Sequence, residues 1–142
     1  MSRPPSERLL APGTFEPLVA DCAAVVRDEI GRRGPVIRTG FNLVRRARPD
    51  LVERALRYLL PAFARALDPY HAEAEAAGEA LGPHLLARDG DVADSLLAVT
   101  DRRIERVENR AVRNLYGKLR GRARAEVVRS LPAVVAVLER HL

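Results

Sequence analysis

Residues 50–67 read DLVERALRYLLPAFARAL, and this stretch decides the fold class of the chain. Its large apolar side chains recur every three or four positions, which is the spacing of one face of an α-helix and not the alternation of a β-strand. Pro61 lies inside the pattern, and because an interior proline removes a backbone hydrogen bond, we expect a kink or a short break near Leu60. The apolar face consists of Val52, Leu56, Leu59, Leu60, Phe63 and Leu67.

The same helical spacing extends outward from this stretch over nearly the whole chain. No segment sustains the alternation of a β-strand, so the sequence predicts an all-α protein. Helices are expected over about residues 16–32 and 35–47. Further along, capping residues predict helix starts at Asp68, Asp91 and Asn109, and Gly117 and Gly121 are expected to mark the turn into a last helix. The predicted core contains Leu56, Leu60, Phe63, Val99, Leu115, Leu131 and Leu138.

The two halves of the chain match each other at a nearly constant offset. Val19-Ala20-Asp21 aligns with Val92-Ala93-Asp94 at an offset of 73, Asn42-Leu43 with Asn114-Leu115 at 72, and Leu60-Pro61-Ala62 with Leu131-Pro132-Ala133 at 71. The offset changes only at turns, where short insertions are tolerated. An alternative interpretation is that helices rich in Ala, Leu, Val and Arg resemble one another by composition alone.

The repeat leads to a prediction of domain organisation. We expect a flexible N-terminal arm over residues 1–14 and a single helical domain over residues 15–142. The domain is expected to be a bundle of two pseudo-symmetric three-helix units joined by a short bridging helix. Repeat one covers about residues 15–67, the bridge covers 68–87, and repeat two covers about 88–142.

The composition excludes several classes of protein. The chain has 142 residues, of which 47% are apolar and 30% charged, as in one ordinary domain. No apolar stretch approaches the ~20 residues that cross a bilayer, and the first residues lack the pattern of a signal peptide, so we expect a cytoplasmic protein. Cys22 is the only cysteine, and its apolar neighbours indicate a buried small residue without redox or zinc chemistry.

Residues that could carry catalysis or bind a metal are few and scattered. None of the three histidines, His71, His84 and His141, has a Ser, Cys or carboxylate at the spacing of a familiar motif. His71 and Glu75 lie four positions apart on one helix face, but two ligands do not make a metal site. Helix capping and first-turn charge explain the acidic residues around Asp91 more simply than calcium binding does. We therefore expect no cofactor, no metal site and no enzymatic activity.

Charge is distributed unevenly along the chain. Residues 1–50 carry a net charge of +3, residues 51–100 carry −4, and residues 101–142 carry +6. Basic clusters lie at corresponding turns of the two predicted units, where they would present two similar cationic surfaces to an anion. A simpler interpretation is that arginine near a helix C-terminus complements the helix dipole. The candidate anion-binding residues are Arg45, Arg46, Arg48, Arg113, Lys118, Arg120, Arg122 and Arg124.

Three motifs resemble those of an uncharacterised protein family. They are DVADSLLAVTD at residues 91–101, Leu59-Leu60-Pro61-Ala62-Phe63 followed by Leu67-Asp68-Pro69, and Leu131-Pro132. The order of elements after the arm is similar to that of small all-helical cytoplasmic proteins from high-GC bacteria with no assigned function. The resemblance implies a helical fold, and it implies no activity and no site residue.

Three classes of function remain open. The leading hypothesis is a non-enzymatic helical interaction module that binds a protein partner or self-associates as a homo-oligomer. The first alternative is binding to the nucleic-acid backbone or to an anionic surface such as anionic lipid through the paired arginine clusters. The second alternative is an apolar-ligand or lipid carrier, in which kinks at Pro61 and Pro132 hold helix halves apart around a cavity.

Overall fold

The computed structural model describes residues 2–32 and 34–142, without the side chains of Val36, Ile37 and Val44. Within these residues the secondary structure consists of seven α-helices and no strand. The predicted all-α fold is confirmed. The helices are α1 (Pro5–Leu9), α2 (Phe15–Gly31), α3 (Pro35–Ala47), α4 (Leu51–Ala76), α5 (Leu81–Ala87), α6 (Asp89–Ile104) and α7 (Arg110–His141).

The interior prolines do not break their helices. Helix α4 continues through both Pro61 and Pro69, and α7 continues through Pro132. The expected break near Leu60 is therefore absent, and the predicted helix start at Asp68 lies in the middle of α4. The expected bridging element over residues 68–87 consists of the last turns of α4, a short connection and α5.

Helix boundaries reproduce the internal repeat in its first helix only. Shifted by 73 positions, α2 coincides with α6 to within one residue. The turn between α3 and α4 contains Pro49, which disfavours helical backbone at the preceding residue. Gly121, at the equivalent position, keeps its amide, and α7 runs through it without a turn. The first unit thus has three helices and the second has two, so the pseudo-symmetric pair of three-helix units is not confirmed.

Residues 5–9 form a helix that packs against α4, although a flexible arm was expected over residues 1–14. Pro5 and Leu9 of α1 are buried against α4, and Leu9 is only 1% exposed. The Ser6 amide, which is free of intrahelical partners in the first turn of α1, donates to the Asp68 carboxylate at 2.9 Å. Asp68 therefore caps α1 across the fold and does not cap a helix of its own.

The apolar core lies between α2, α4, α6 and α7, with contributions from α1 and α5. The predicted core positions Val99, Leu131 and Leu138 are buried. Leu115 is 57% exposed, so its predicted core position is wrong. Helix α7 meets α6 through Tyr116 and Arg120, and Leu115 lies on a different face of α7.

Two local motifs fix the ends of the long helices. The Asn109 side chain accepts hydrogen bonds from the amides of Ala111 and Val112 at 2.9 and 3.2 Å, which confirms the predicted N-cap of α7. At the C-terminal end of α4, Gly78 has a φ of +70°. The Glu79 amide donates to Ala74 and the Gly78 amide donates to Glu75, so the helix ends in a Schellman motif.

The Schellman turn brings Glu79 to a buried histidine of α5. The His84 ring lies 2.8 Å from Glu79 through Nδ1 and 3.1 Å from Glu73 through Nε2, and it is 2% exposed. Hydrogen bonds to Glu79 and then Glu73 raise the pKa of His84 above its ordinary value. Arg88 is also within 3.2 Å of His84 Nε2, where it donates to the neutral ring. This cluster joins the end of α4 to α5.

Candidate functional site

The predicted anion-binding residues divide into two groups in the structure. Arg120 and Arg124 form ion pairs with carboxylates of α6, whereas the other six residues are exposed and form no such pair within the described ranges. Arg120 makes a bidentate ion pair with Asp101 at 2.8 and 3.0 Å, and Arg124 pairs with Asp94 at 2.8 Å. Across residues 2–32 and 34–142, no carboxylate forms an ion pair with Arg45, Arg46, Arg48, Arg113, Lys118 or Arg122.

The two paired arginines serve the packing of α7 on α6. Arg120, with Tyr116 as a further hydrogen-bond donor, holds the pKa of Asp101 below its usual range. The Thr100 hydroxyl lies 2.8 Å from the Tyr116 hydroxyl and 2.9 Å from the carbonyl oxygen of Leu97. This hydrogen-bond network holds the face of α7 that carries Tyr116 and Arg120 against α6.

A cavity of about 350 Å³, partly open to the surface, lies between α2, α4, α6 and α7. Protein interiors are packed to a density that leaves few voids larger than one water molecule, so a space of this size is a distinct feature of the fold. We name it the central cavity. Four of its wall residues carry polar side-chain atoms or sulfur, and the rest are apolar. The wall contains, among others, Leu18, Val25 and Val26 of α2, Leu56, Leu60, Phe63 and Leu67 of α4, Leu96 and Leu97 of α6, and Leu131, Val134 and Leu138 of α7.

The central cavity is long and narrow. Its wall on α4 extends from Leu56 to Leu67, which at 1.5 Å per residue is about 16 Å. Dividing the cavity volume by this length gives a mean cross-section of roughly 20 Å². A space that extends along a helix in this way fits an extended hydrocarbon chain better than a compact fused ring system.

The few polar groups of the wall are unsuited to covalent chemistry. Burial, with a further contribution from Asp21, raises the pKa of the Cys22 thiol to about 11, so this thiol is almost entirely protonated at neutral pH. Thr100 bonds within α6 and to Tyr116, as described above. Glu126 lies 3.7 Å from Arg129. The wall therefore offers mainly apolar contact, and the Cys22, Thr100 and Glu126 side chains are either protonated or engaged in contacts within the protein.

One edge of the α7 face that lines the central cavity, marked by Glu126, leads beyond the cavity to an exposed apolar stripe. Toward the N-terminus from Glu126, the helical spacing of seven, four and three residues leads to Leu119, Leu115 and Val112. These side chains are 55%, 57% and 45% exposed. We name these three residues the exposed stripe. Lys118 and Arg122 each lie one helical turn from a leucine of the stripe.

The central cavity could not be located from the sequence. The apolar spacing in α2, α4, α6 and α7 identifies residues that face one another, but it carries no measure of the distance between the helices. The only indication of a cavity in the sequence was the pair of prolines, Pro61 and Pro132, which suggested that helix halves are held apart. The exposed stripe was hidden for a related reason, since Leu115 and Leu119 fit the same helical periodicity as buried residues.

Two further features of the described part of the chain limit the possible chemistry. No group of three or more His, Cys, Asp or Glu side chains within it is arranged to hold a metal ion. None of its helices combines the length and the apolar character that crossing a bilayer requires.

Comparisons with known proteins identify a family and no function. The model of a family described as a family of unknown function (DUF6918) matches residues 5–142. No curated protein and no solved structure matches the chain. The expectation that the chain belongs to an uncharacterised family is confirmed.

Proposed function

We propose a ligand-binding function for this chain, which belongs to the family of unknown function DUF6918. The proposed ligand is an apolar molecule with an extended hydrocarbon chain, held in the central cavity. The single observation that carries the proposal is the cavity of about 350 Å³ with an almost wholly apolar wall. Ligand sites in proteins are typically concave, mostly apolar spaces of ~300–1,000 Å³, and those of helical bundles lie between the helices.

The energetics of an empty apolar cavity support a bound ligand. An apolar space of ~150 Å³ stays dry and takes up small apolar molecules, because water finds no hydrogen-bond partners there. The central cavity has more than twice this volume and is partly open to the surface, and its wall offers water equally few hydrogen-bond partners. Each methylene group that enters it leaves water and gains about 0.8 kcal/mol, so a chain of several methylene groups offsets the loss of its freedom.

Binding rather than catalysis is the proposed activity. The Cys22 thiol is the only sulfur nucleophile of the chain, and its pKa of about 11 opposes formation of the thiolate. A non-enzymatic role in the cytoplasm, as expected from the sequence, remains part of the proposal.

The other two sequence-derived hypotheses rest on surface features. Partner binding or self-association is supported by exposed large apolar side chains. Among the side chains that the structure describes, Leu43 at 61% and Leu115 at 57% are the most exposed of these. Binding to a nucleic-acid backbone is supported by six cations without ion pairs across the described ranges, and it predicts a steep decrease of DNA affinity with salt. We place both below ligand binding because neither uses the central cavity.

A direct test uses cis-parinaric acid, a narrow polyene fatty acid whose fluorescence rises in apolar surroundings. We expect saturable fluorescence enhancement with the full chain, and displacement by saturated fatty acids. Ala64 is 3% exposed and lines the cavity, so Ala64→Leu fills part of the space and is expected to weaken binding at least tenfold. Ala136→Leu adds the same side chain at an exposed position and is expected to leave binding unchanged.

Cys22 supplies a second readout without a substitution. Its side chain lines the central cavity, so a bound chain should slow its reaction with a thiol reagent such as iodoacetamide at alkaline pH. Absence of saturable binding, equal binding by Ala64→Leu and wild type, or unaltered Cys22 reactivity in the presence of fatty acid would each contradict the proposal.

A further inference from the structure

Helix α7 has two halves of different character. The C-terminal half is buried through Leu131, Val135, Val137 and Leu138. The N-terminal half, residues 110–124, carries the exposed stripe together with six cations and no acidic residue. Arg120 and Arg124 of these cations are used in ion pairs with α6, which leaves Arg110, Arg113, Lys118 and Arg122 for other contacts.

Apolar and cationic side chains alternate on the same surface of this half. Leu115 and Lys118 are three residues apart, as are Leu119 and Arg122, and residues at this spacing are neighbours on a helix surface. A helix that offers apolar side chains beside Lys and Arg matches the boundary between the acyl chains and the anionic headgroups of a lipid bilayer.

The exposed stripe leads along α7 toward the central cavity. Leu119 precedes the wall residue Glu126 by seven residues, which is two helical turns or about 10 Å along the same face of α7. Ala123, four residues after Leu119 and three before Glu126, lies between them on this side of α7. An apolar chain that follows this side passes over Ala123 and reaches the cavity wall at Glu126.

We propose that the N-terminal half of α7 docks reversibly on an anionic lipid bilayer and that apolar ligand enters the central cavity along the exposed stripe. The second part of this inference rests on the proposed ligand-binding function, and the docking step stands on the surface of α7 alone. Docking is peripheral, because interfacial helices that bind firmly use Trp or Phe at their edges and residues 110–124 contain neither.

A second copy of the chain is a weaker match for the same surface. Three side chains about half exposed offer far less apolar area than the ~800 Å² that each partner of a standard protein interface buries. Apposition of two such surfaces would also bring the cations of both copies together, and these like charges repel each other. An anionic bilayer supplies both the apolar contact and the opposite charge.

The experiment measures cosedimentation of the full chain with phosphatidylcholine vesicles that contain or lack phosphatidylglycerol. We expect binding to the phosphatidylglycerol vesicles at low ionic strength, weaker binding near physiological salt, and negligible binding to phosphatidylcholine alone. The double variants Leu115→Gln/Leu119→Gln and Lys118→Gln/Arg122→Gln are each expected to lose about tenfold or more in vesicle affinity.

Matched controls remove similar groups elsewhere. Leu86→Gln changes a leucine of α5 that is 40% exposed, and Arg3→Gln/Arg65→Gln removes two positive charges from α4 and the N-terminal arm. Both control variants are expected to bind vesicles as the wild-type chain does. Helicity measured by circular dichroism identifies any variant that has lost its fold.

The outcomes separate docking from ligand binding. Equal binding to both kinds of vesicle, or α7 variants that bind as wild type does, would overturn docking. A concentration-dependent dimer that Leu115→Gln/Leu119→Gln abolishes would also overturn it. Binding of cis-parinaric acid in buffer by the α7 variants tests the cavity independently of docking. If ligand enters along the exposed stripe, the α7 variants should still bind cis-parinaric acid in buffer. They should take it up from vesicles more slowly than the wild-type chain does.

Discussion

Gly78 is the residue on which the end of α4 depends. Its φ of +70° lies in the left-handed region, which a residue with a Cβ adopts at a cost of about 1–2 kcal/mol. No atom comes within 4 Å of the position that its Cβ would occupy, so the cost of a substitution arises from the backbone and not from packing.

We expect Gly78→Ala to lower the free energy of unfolding by about 1 kcal/mol, as measured by urea denaturation. Gly31→Ala is the matched control, because Gly31 ends α2 without a positive φ and its Cβ position is equally open. This control is expected to be neutral or to stabilise the protein slightly. A Gly78 variant as stable as the Gly31 variant would show that the Schellman turn is not maintained in solution.

His84 couples the stability of the α4–α5 junction to pH. The carboxylates of Glu79 and Glu73 face its ring and raise its pKa from the ordinary value of 6.5, whereas Arg88 opposes the charged form. A group whose pKa is higher in the folded state stabilises the fold fully below its unfolded pKa. This contribution decreases as pH rises through the folded pKa.

The stability difference between wild type and His84→Gln should therefore be largest in mildly acidic solution and should decrease as the pH rises through neutrality. Urea denaturation at a series of pH values measures this difference. In the variant Glu73→Gln/Glu79→Gln the pH dependence assigned to His84 should be much weaker, because both partners of the charged ring have been neutralised. A difference that stays constant or grows with pH would contradict the assignment.

The two halves of α7 provide the clearest contrast at the level of the element. Leu131 is 2% exposed in the C-terminal half, and Leu115 is 57% exposed in the N-terminal half. Leu131→Ala is expected to lower the free energy of unfolding by about 2–4 kcal/mol, because it removes buried apolar contacts. Leu115→Ala makes the same chemical change and should cost less than about 0.5 kcal/mol. Similar costs at the two positions would mean that the N-terminal half is covered in solution.

Helix type and approximate helix positions could be predicted from the sequence, whereas several helix boundaries could not. Pro49 ends a helix, but Pro61, Pro69 and Pro132 do not. An interior proline costs roughly 3 kcal/mol locally. Whether a helix persists depends on the apolar surface that the residues on both sides of the proline bury against other helices. The spacing of Leu56, Leu60 and Leu67 can be read from the local sequence. The helices that face these residues across the central cavity, α2, α6 and α7, cannot.

The candidate site could be predicted even less completely. The basic residues were identifiable as a group, but the ion pairs of Arg120 and Arg124 depend on Asp101 and Asp94, which lie 19 and 30 residues away in the chain. The central cavity depends on the separation of four helices. The exposure of Leu115 depends on which face of α7 meets α6. Each of these properties is set by tertiary distances that periodicity does not encode.

At the scale of the whole molecule, the central cavity should make the protein sensitive to hydrostatic pressure. Unfolding eliminates internal voids, so the volume change of unfolding becomes more negative as the void volume grows, within a usual range of about −20 to −100 mL/mol. We expect Ala64→Leu, which fills part of this space, to have a smaller volume change than wild type. Pressure denaturation followed by tyrosine fluorescence measures both values. Equal volume changes would indicate that the cavity is filled or closed in the ligand-free protein.

The dependence of α1 on Asp68 has a consequence for the order of folding during synthesis. Helix α1 has five residues, far fewer than the ~12–15 that an isolated helix needs, and the carboxylate that binds its Ser6 amide is 62 positions later in the chain. Helix α1 leaves the ribosome before α4, so it is stabilised only after α4 has been made. Because Leu9 of this segment forms part of the cavity wall, the nascent protein keeps that side of the cavity open until its N-terminus has docked.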